Sequence, residues 1–361
     1  MNREDQLQIG PKAIKPPGIN RIEENLPEVP SLRRHLPGMT EALSPAIVAA
    51  GTGLSTYIAT RALISILAHR EILDHPNERS SHQAPTPRGG GIAVIASILL
   101  AWAMLISAGS ISADVLGIVG GAAFLAVISW VDDLRGLSPL VRLIAQTVAV
   151  VIGLSSLPEP YGWLRLASAA FLWVWWINLF NFMDGIDGLA ASEAAGIGAG
   201  LLLFASLGAG PDPALRGLAA AVIGAAGGFL VWNWSPARIF LGDVGSVPLG
   251  YILGFVLLGL ALRGFWKIAL ILPLYFLADA TITLARRFFR GERVWQAHRE
   301  HFYQQAVRRG LGHAAVVKRV IAADLVLIGC GWAAENGWAG ISLAASAVIV
   351  AVLLAALARG F

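Results

Sequence analysis

The sequence predicts an all-α, polytopic integral membrane protein. Of its 361 residues, 56% are apolar and 14% are charged, against roughly 25% charged residues in an ordinary soluble protein. The mean hydropathy is +0.66. Five uncharged stretches reach about the 18 residues that a membrane-spanning helix needs. They are Leu166–Met183, Ala194–Pro211, Gly217–Ala237, Val244–Leu262 and Asn336–Ala358. The single cysteine, Cys330, excludes an intrachain disulfide and a cysteine-based metal site.

Residues 1–44 differ in composition from the rest of the chain. They are polar and rich in proline, and six basic residues balance six acidic ones. No basic start is followed by an apolar stretch, so the segment does not resemble a signal peptide. The composition predicts a disordered tail, and a start at Met39 is an alternative. Residues 45–361 are expected to form a single membrane domain.

The apolar segments of that domain predict about eleven membrane-spanning helices. Their approximate bounds are 46–68, 90–108, 113–131, 139–157, 162–181, 186–208, 214–232, 246–262, 267–285, 318–334 and 338–358. Arg61 interrupts the first segment and Asp279 the ninth. Arg61 and Arg142 lie near segment ends and can extend to the interface, whereas Asp279 is expected to pair with Arg286. The sequence shows no internal repeat and no inverted pair of broken helices.

The distribution of lysine and arginine predicts the orientation of the helices. Sixteen of these residues lie in or beside one set of loops and the C-terminus, against four in the opposite loops. The positive-inside rule therefore places the N-terminus outside and the C-terminus in the cytoplasm. The cytoplasmic loops are 69–89, 132–138, 182–185, 233–245 and 286–317. This pattern accounts for the pI of about 9.5, so nucleic acid is not a predicted partner.

Acidic and histidine-bearing motifs collect in the same loops, whereas the opposite loops are short and plain. This asymmetry predicts a protein that works at one membrane surface. The carboxylates at segment ends are Asp132, Asp133, Asp184, Asp187 and Asp243. Partly dehydrated charge is costly there unless it is compensated, and converging carboxylates without thiols suit Mg²⁺. Asp132 and Asp133 point about 100° apart on a helix, so one of them is expected to face a common site.

Two further motifs indicate anion binding. The glycine run 89–91 follows Arg88 and opens the second segment. Backbone N–H groups and the helix dipole can meet a phosphate there, and a simple turn into the membrane is the alternative. His298 and His301 lie in an arginine-rich loop. Protonated histidine and arginine both bind pyrophosphate oxygens, and a basic anchor with incidental histidines is the alternative.

Five motifs follow one another along these loops. They are Asp74-x-Pro-Asn-x-Arg79-Ser-Ser-His82 with Pro85-Thr-Pro-Arg-Gly-Gly-Gly91, Asp132-Asp133, Asn178-x-x-Asn181-x-x-Asp184-Gly-x-Asp187-Gly, Asn233-x-x-Pro236-Ala-x-Ile239-Phe-x-Gly-Asp243-x-Gly-Ser246, and His298-Arg-x-His301. In this order and on one face they resemble the polyprenyl-phosphate N-acetylhexosamine-1-phosphate transferases, glycosyltransferase family 4. The resemblance covers about residues 45–315.

The resemblance implies a reaction and a role for each motif. A UDP-sugar gives its sugar-1-phosphate to undecaprenyl phosphate, and UMP is released with Mg²⁺, or alternatively Mn²⁺, as cofactor. Asp243 resembles the metal ligand, and Asp132 and Asp133 resemble the pair that handles the lipid phosphate, one of them as a base. The residues that resemble the nucleotide-sugar site are Asn181, Asp184, Asp187, Asn233 and Phe240, the last stacking on uracil. Those that resemble the pyrophosphate and lipid-phosphate site are His298, His301, Arg79, His82, Arg88, Gly89, Gly90 and Arg299.

Departures from the family pattern narrow the branch. Peptidoglycan enzymes carry adjacent histidines in the last loop, where this chain has His298-Arg-Glu-His301, and many relatives have a lysine after the arginine at position 79. Both features resemble the branch that starts O-antigen and related surface polysaccharides, some of which use 6-deoxy sugars. The expected partners are undecaprenyl phosphate, a UDP-N-acetylhexosamine and membrane lipid, with a homodimer left open. The expected location is the bacterial inner membrane, with the site facing the cytoplasm.

Three alternatives remain open at this point. Within the family, the alternative is the phospho-MurNAc-pentapeptide transferase of peptidoglycan synthesis. A polytopic transporter would place ionisable residues near the bilayer midplane, for which Asp279 is a candidate. A CDP-alcohol phosphatidyltransferase would share Asp184-Gly-x-Asp187-Gly but continue with an Ala-Arg pair, which is missing after Gly188.

Overall fold

The protein is almost entirely helical over the residues that the computed structural model describes, which are 43–74, 84–157, 161–207, 214–294, 296 and 298–359. The helices are α1 (Pro45–His69), α2 (Gly91–Ser107), α3 (Leu116–Arg135), α4 (Pro139–Leu154), α5 (Trp163–Phe182), α6 (Leu189–Ser206), α7 (Ala214–Asn233), α8 (Asp243–Leu262), α9 (Trp266–Ile271), α10 (Leu274–Phe289), α11 (Phe302–Arg308), α12 (His313–Glu335) and α13 (Ala339–Arg359). A 3₁₀ turn, Ala113–Val115, precedes α3, and strands β1 (Leu73–Asp74) and β2 (Thr86–Pro87) pair antiparallel. The predicted all-α class is confirmed; the predicted tail lies, up to residue 42, outside the described residues.

Seven helices are long and apolar enough to cross a membrane. They are α1, α3 with its preceding turn, α5, α6, α7, α8 and α13. Helices α2 and α4 are apolar but shorter, with 17 and 16 residues. Each of the eleven predicted segments overlaps a helix of the described chain. A multi-pass membrane protein is therefore supported, while the count of eleven crossings and the orientation of the termini stay predictions.

The ninth predicted segment, 267–285, is two helices rather than one. Helix α9 ends at Ile271 and α10 begins at Leu274. Pro273 stands between them and supplies no N–H for a helical hydrogen bond. Of the two, α10 carries Asp279 on its buried face. Because α10 begins after the break, its buried face is independent of that of α9.

The core is built around α8. Of the seven helices, it is the most buried, with 78% of its 18-residue window inside the protein against 22% for α1. Trp173 of α5 stacks on Tyr251 of α8 at 4.8 Å between ring centroids, and its Nε1–H donates to the Tyr251 carbonyl oxygen at 2.9 Å. The Tyr251 hydroxyl in turn donates to the Ala149 carbonyl oxygen of α4 at 3.0 Å. These contacts connect α8 to both α4 and α5.

Local sequence signals place the helix ends that carry the motifs. Gly136 has a φ of 69° and ends α3, since glycine adopts this conformation without steric cost. Ser138 caps α4 by accepting a hydrogen bond from the Val141 N–H, and Pro139 follows at the first helical position. Gly242, with a φ of 75°, leads directly into α8. The loop motifs are therefore held at helix ends.

Candidate active site

The site is the place where helix ends meet. The last turns of α3 and α5 and the first turns of α4 and α8 carry most of the polar side chains that the sequence motifs contain. Four ion pairs meet there: Arg88, which precedes α2, pairs with Asp133 and Asp243, and Arg142 of α4 pairs with Asp132 and Asp243. The motifs that the sequence analysis assigned to one face therefore converge in space.

Asp133 closes the start of α8. Its carboxylate accepts hydrogen bonds from the N–H groups of Asp243 at 3.1 Å and Val244 at 2.9 Å, and it pairs with Arg88 Nη2 at 2.6 Å. The side chain is 1% exposed. A Cβ at Gly242 would lie 2.8 Å from Asp133 Oδ2, so this close approach needs glycine. A carboxylate with these partners positions α8, and the catalytic role implied for Asp133 stays a prediction.

Arg88 is the basic residue at the centre of the site. It follows β2, and a parallel bridge joins it to Phe240 in the loop before α8. Its Nη2 lies 3.2 Å from Asp243 Oδ1 in addition to the contact with Asp133. Burial lowers the pKa of Arg88, but Asp133 and Asp243 more than offset it, so the pKa lies above its ordinary value. Arg88 is a permanent cation whose side chain is still 34% exposed.

The glycine run that follows Arg88 serves packing. The N–H groups of Gly89 and Gly90 donate to the Phe240 carbonyl oxygen at 3.2 and 2.9 Å, and that of Gly91 donates to the Leu241 carbonyl oxygen at 2.8 Å. A Cβ at Gly91 would lie 2.1 Å from the Cα of Gly245 in α8. These N–H groups are already hydrogen-bonded, and the glycines let α2 and α8 pack closely; the phosphate-binding role implied for Gly89 and Gly90 stays a prediction.

Arg142 is a residue of the site that the sequence analysis assigned to the membrane interface. It lies in the first turn of α4, and its Nη1 is 3.3 Å from Asp132 Oδ2 and 3.7 Å from Asp243 Oδ2. Asp132 also accepts the Leu137 N–H at 2.6 Å. The Ser138-Pro139 helix start could have indicated this position, since it puts Arg142 at the same end as the acidic pair. Asp243 thus lies between two guanidinium groups.

Asp184 faces the same cluster from the turn between α5 and α6. Burial, reinforced by the nearby carboxylates of Asp243 and Asp133, raises the pKa of Asp184 well above its ordinary value, and Arg88 opposes this shift in part. A cation bound beside it would favour the charged form. Asp184 is therefore a buried carboxylate whose ionised form a neighbouring cation would stabilise.

Asp187 and Asn233 hold the loops around the site together. Asp187 Oδ2 lies 3.1 Å from His313 Nδ1 at the start of α12 and accepts the Ala237 N–H at 3.2 Å. Burial raises the pKa of Asp187, but these contacts outweigh it and the pKa lies below its ordinary value. Asn233 Oδ1 accepts the Gly188 N–H and its Nδ2 donates to the Ile239 carbonyl oxygen, both at 2.9 Å. These contacts position the loops, and the nucleotide-sugar contact implied for both residues stays a prediction.

Asn181 and Phe240 have partly exposed side chains at the edge of the cluster. The Ser246 hydroxyl donates to Asn181 Oδ1 and so connects the last turn of α5 to α8. Phe240 sits beside the Arg88 bridge, with its backbone N–H donating to the Pro87 carbonyl oxygen at 2.8 Å. Both positions agree with the predicted nucleotide site, and their roles stay predictions.

His298 and His301 lie together in the segment between α10 and α11. Their rings are 4.8 Å apart, and His301 is 2% exposed with its Nδ1 3.2 Å from Asp279 Oδ1. Asp279 also accepts the N–H groups of Phe302 and Tyr303, so it caps α11. The predicted pairing of Asp279 with Arg286 is wrong, because Asp279 is fully buried at this cap while Arg286 stacks over Phe302.

His298 is a neutral side chain at physiological pH. Burial, together with the neighbouring His301 and Arg287, lowers the pKa of His298 to about 4. Its Nδ1 accepts the Glu300 N–H at 3.3 Å, which requires that nitrogen to be unprotonated. In the free protein the positive charge beside His298 therefore comes from arginine, and the pyrophosphate-binding role implied for His298 stays a prediction.

Arg287 organises the segment that carries His298 and Arg299. Its Nε lies 2.8 Å from Glu292 Oε2, and its Nη1 donates to the Gln296 carbonyl oxygen at 3.0 Å. Arg290 pairs with Glu292 and Glu300. Arg299 is partly exposed within this segment. Arg79 and His82 lie outside the described residues.

Comparison with known proteins identifies relatives. Residues 115–261 match the model of glycosyl transferase family 4. A probable undecaprenyl-phosphate N-acetylglucosaminyl 1-phosphate transferase from Bacillus subtilis is 28% identical over 263 residues, which cover 67% of this chain and 71% of that protein. A decaprenyl-phosphate N-acetylglucosaminephosphotransferase from Mycobacterium leprae is 28% identical over 325 residues, covering 75% and 79%.

A longer match is to a pentapeptide transferase, which is a second kind of relative. A phospho-N-acetylmuramoyl-pentapeptide-transferase from Mycolicibacterium paratuberculosis is 30% identical over 354 residues, which cover 81% of this chain and 97% of that protein. Matches to Synechococcus proteins of the same name span a little over half of their length. Both kinds of relative are named as sugar-phosphate transferases. With its motifs converging at one set of helix ends and a relative covered almost end to end, the chain belongs to glycosyl transferase family 4.

Proposed function

We propose that this protein transfers an N-acetylhexosamine-1-phosphate, or a 6-deoxy variant of it, from a UDP-sugar to undecaprenyl phosphate. The products are a lipid pyrophosphate-sugar and UMP, and the reaction is the first membrane step of a surface polysaccharide of the O-antigen type. The observation that carries the proposal is the placement of Arg88 and Arg142 on either side of Asp243 at the start of α8. Two cations around a partly exposed carboxylate suit a reaction between two anionic phosphates.

The chemistry needs charge neutralisation more than proton transfer. An oxygen of the lipid phosphate forms a bond to the phosphorus that carries the sugar, and the bond from that phosphorus to the UMP oxygen breaks. A phosphate monoester has a second pKa of about 6 and is largely ionised near neutral pH, so the attack needs no strong base. Arg88 and Arg142 would bind the phosphate oxygens and stabilise the charge spread over the transferred group. Asp132, held by Arg142, orients that guanidinium.

The donor set fits Mg²⁺, with Mn²⁺ as an alternative. Mg²⁺ commonly uses one or two protein carboxylates plus substrate phosphates. Asp243 is 19% exposed, and the raised pKa of Asp184 marks a carboxylate short of positive charge. Among the described residues no three His, Cys, Asp or Glu side chains form a preformed cage, which agrees with a metal completed by substrate. Asp243 and Asp184 would hold the ion, which would supply Lewis-acid stabilisation of the phosphate charge.

Partly exposed residues around the cluster would select the donor. Phe240 offers an aromatic face for the uracil ring, and Asn181 offers an amide beside it. Arg299 and the neutral His298 would contact the pyrophosphate from the segment before α11. The site would face the cytoplasm of the inner membrane, because the basic residues of the chain gather at this end.

A product assay on the purified protein tests the proposal. Undecaprenyl phosphate and Mg²⁺ are supplied with one donor at a time: UDP-GlcNAc, UDP-GalNAc, UDP-N-acetylfucosamine, UDP-N-acetylquinovosamine or UDP-MurNAc-pentapeptide. Metal-dependent release of UMP and a lipid-linked sugar with a simple UDP-hexosamine is the expected result. Turnover of the pentapeptide donor alone would assign the protein to peptidoglycan synthesis. Silence with every donor, from folded protein, would contradict the proposal.

A further inference from the structure

Two carboxyl groups meet inside the helical bundle, away from the site. Glu193 of α6 is fully buried and Asp324 of α12 is 5% exposed. The two groups interact with each other, and none of their four oxygens has another hydrogen-bond partner in the described chain. A Cβ at Gly196, one turn along α6, would lie in van der Waals contact with Asp324 Oδ2 at 3.4 Å, so Asp324 lies directly against α6. The sequence analysis placed both acids inside apolar segments and gave them no role.

The surroundings determine what this pair must bind. An ionised carboxylate in an apolar interior is costly unless it is paired, and two in contact also repel each other. Among the described residues no lysine, arginine or histidine forms an ion pair with either group. Glu193 also interacts electrostatically with Tyr275 of α10, which is a titratable side chain. The Tyr275 hydroxyl donates to Asp279 and does not supply positive charge to the pair. The pair therefore has to take up positive charge from outside the protein.

A proton suits the pair better than a metal ion. Hard cations such as Mg²⁺ and Ca²⁺ need about six oxygen ligands, and among the described residues no third acidic or histidine side chain joins this pair in a group that could hold a metal ion. A carboxyl and a carboxylate that share one proton satisfy each other with a single hydrogen bond. This arrangement removes one of the two charges and the repulsion between them.

The pair also has a place in the architecture of the site. Helix α12 begins at His313, which contacts Asp187 in the loop that leads into α6. The same two helices then meet at Glu193 and Asp324. Helix α12 is thus attached to the entry of α6 at two points, one at the surface and one inside. The loop that connects α5 to α6 carries Asp184.

We propose that Glu193 and Asp324 form a proton-binding pair that latches α12 to α6 and so positions the loop of Asp184 and Asp187. Both are positioning residues. Loss of the shared proton places two like charges in contact, which separates the helices and loosens that loop. The proposal concerns the folded protein and does not depend on the transferase activity. A negative donor assay would therefore leave it standing, and a negative result in the tests below would leave the proposed activity standing.

The direction of the pH effect follows from proton linkage. In the unfolded chain both carboxyls ionise above about pH 4, whereas the folded chain keeps a proton. The folded state therefore binds more protons, and stability falls as pH rises through the range where the pair is still protonated. One retained proton corresponds to a fall of about 3 °C in the unfolding midpoint per pH unit.

The first test compares the full chain with the Glu193→Gln/Asp324→Asn variant in detergent between pH 5.5 and 9. The two amides keep a hydrogen bond but cannot ionise. We expect the wild-type midpoint to fall relative to that of the variant as pH rises, whereas Asp114→Asn, which removes an exposed carboxylate, follows the wild type. Parallel curves for wild type and double variant would overturn the proposal. A wild-type midpoint that depends on sodium or potassium at fixed pH and ionic strength would replace the proton with a cation.

A second measurement keeps the proposal testable if the double variant does not fold. Infrared spectra of the wild type at pH 8 should contain the carbonyl band of a protonated carboxyl, and Glu193→Gln should lose part of it while Asp114→Asn does not. Hydrogen exchange of residues 183–188 at pH 9 should be faster in the wild type than in Glu193→Gln, which cannot place two like charges in contact. An unchanged band in Glu193→Gln, or equal exchange, would contradict the latch.

Discussion

Asp243 is the side chain on which the site converges. Arg88 approaches one carboxylate oxygen and Arg142 the other, while the backbone N–H of Asp243 is held by Asp133. The carboxylate therefore stands at a fixed position in a cationic frame. A metal ion at this point would face phosphate oxygens that the two guanidinium groups already attract.

Replacement of Asp243 by asparagine tests that position. Asn preserves the volume but removes the charge, so we expect turnover to fall by about 100-fold or more, since a metal ion supplies several kcal/mol of charge stabilisation. The unfolding midpoint in detergent should stay near that of the wild type. UMP release and thermal unfolding are measured in parallel, with Asp114→Asn as the control for the loss of one carboxylate. Near-normal turnover would remove Asp243 from the metal site.

Arg142 is the residue that motif recognition alone did not assign to the site. If it neutralises phosphate charge, Arg142→Gln should lower UMP release by about 10- to 100-fold, and Arg142→Lys should restore part of the rate because it keeps the charge but not the bidentate geometry. Arg135→Gln, an exposed arginine at the end of α3, is the matched control. Equal losses in the Arg142 and Arg135 variants would mean a general effect of surface charge.

At the scale of elements, Asp133 caps the start of α8. Asp133→Ala removes the acceptor for two N–H groups at the start of α8, and capping contacts are worth about 1 kcal/mol. We expect the unfolding midpoint to fall by roughly 2–4 °C, and Asp133→Asn to fall less because it keeps an acceptor. A fully retained midpoint combined with lost turnover would return Asp133 to direct contact with substrate.

The same element shows how far the sequence could predict the site. The helix ends were predictable, because Gly136, Ser138-Pro139 and Gly242 are local signals and alternating ends fall on one side. The different contacts of Asp132 and Asp133 were not predictable, because they depend on where α8 packs against α3. The glycine run was correctly placed at a helix start. The carbonyl oxygens that accept hydrogen bonds from its N–H groups belong to residues 240 and 241, and this long-range contact was not predictable. Glu193 and Asp324 were missed because one acid in an apolar segment hardly changes its hydropathy.

The whole molecule has a predicted orientation that a matched pair of glycines can test. Gly109 lies in the connection between α2 and α3, and Gly136 directly follows α3, so the two flank that helix. Both are exposed with open space around a Cβ, and their φ angles of 68° and 69° strain a Cys at either position to the same degree. In a Cys330→Ser background, we expect a membrane-impermeant maleimide on intact cells with permeable outer membranes to label Gly109→Cys and not Gly136→Cys. Labelling of both after the inner membrane is opened is the control. The reverse pattern would invert the topology and place the site outside.

The close packing of α2 and α8 has a consequence for the energetics of transfer. Gly91 and Gly245 are in direct backbone contact, so Arg88, which leads into α2, and Asp243, which begins α8, are held by two tightly packed helices. In water, the dipoles around a reacting phosphate must reorganise as its charge moves. A frame fixed by main-chain contact has its charges oriented before substrate arrives, so this reorganisation is completed during folding and is not repeated in each catalytic cycle.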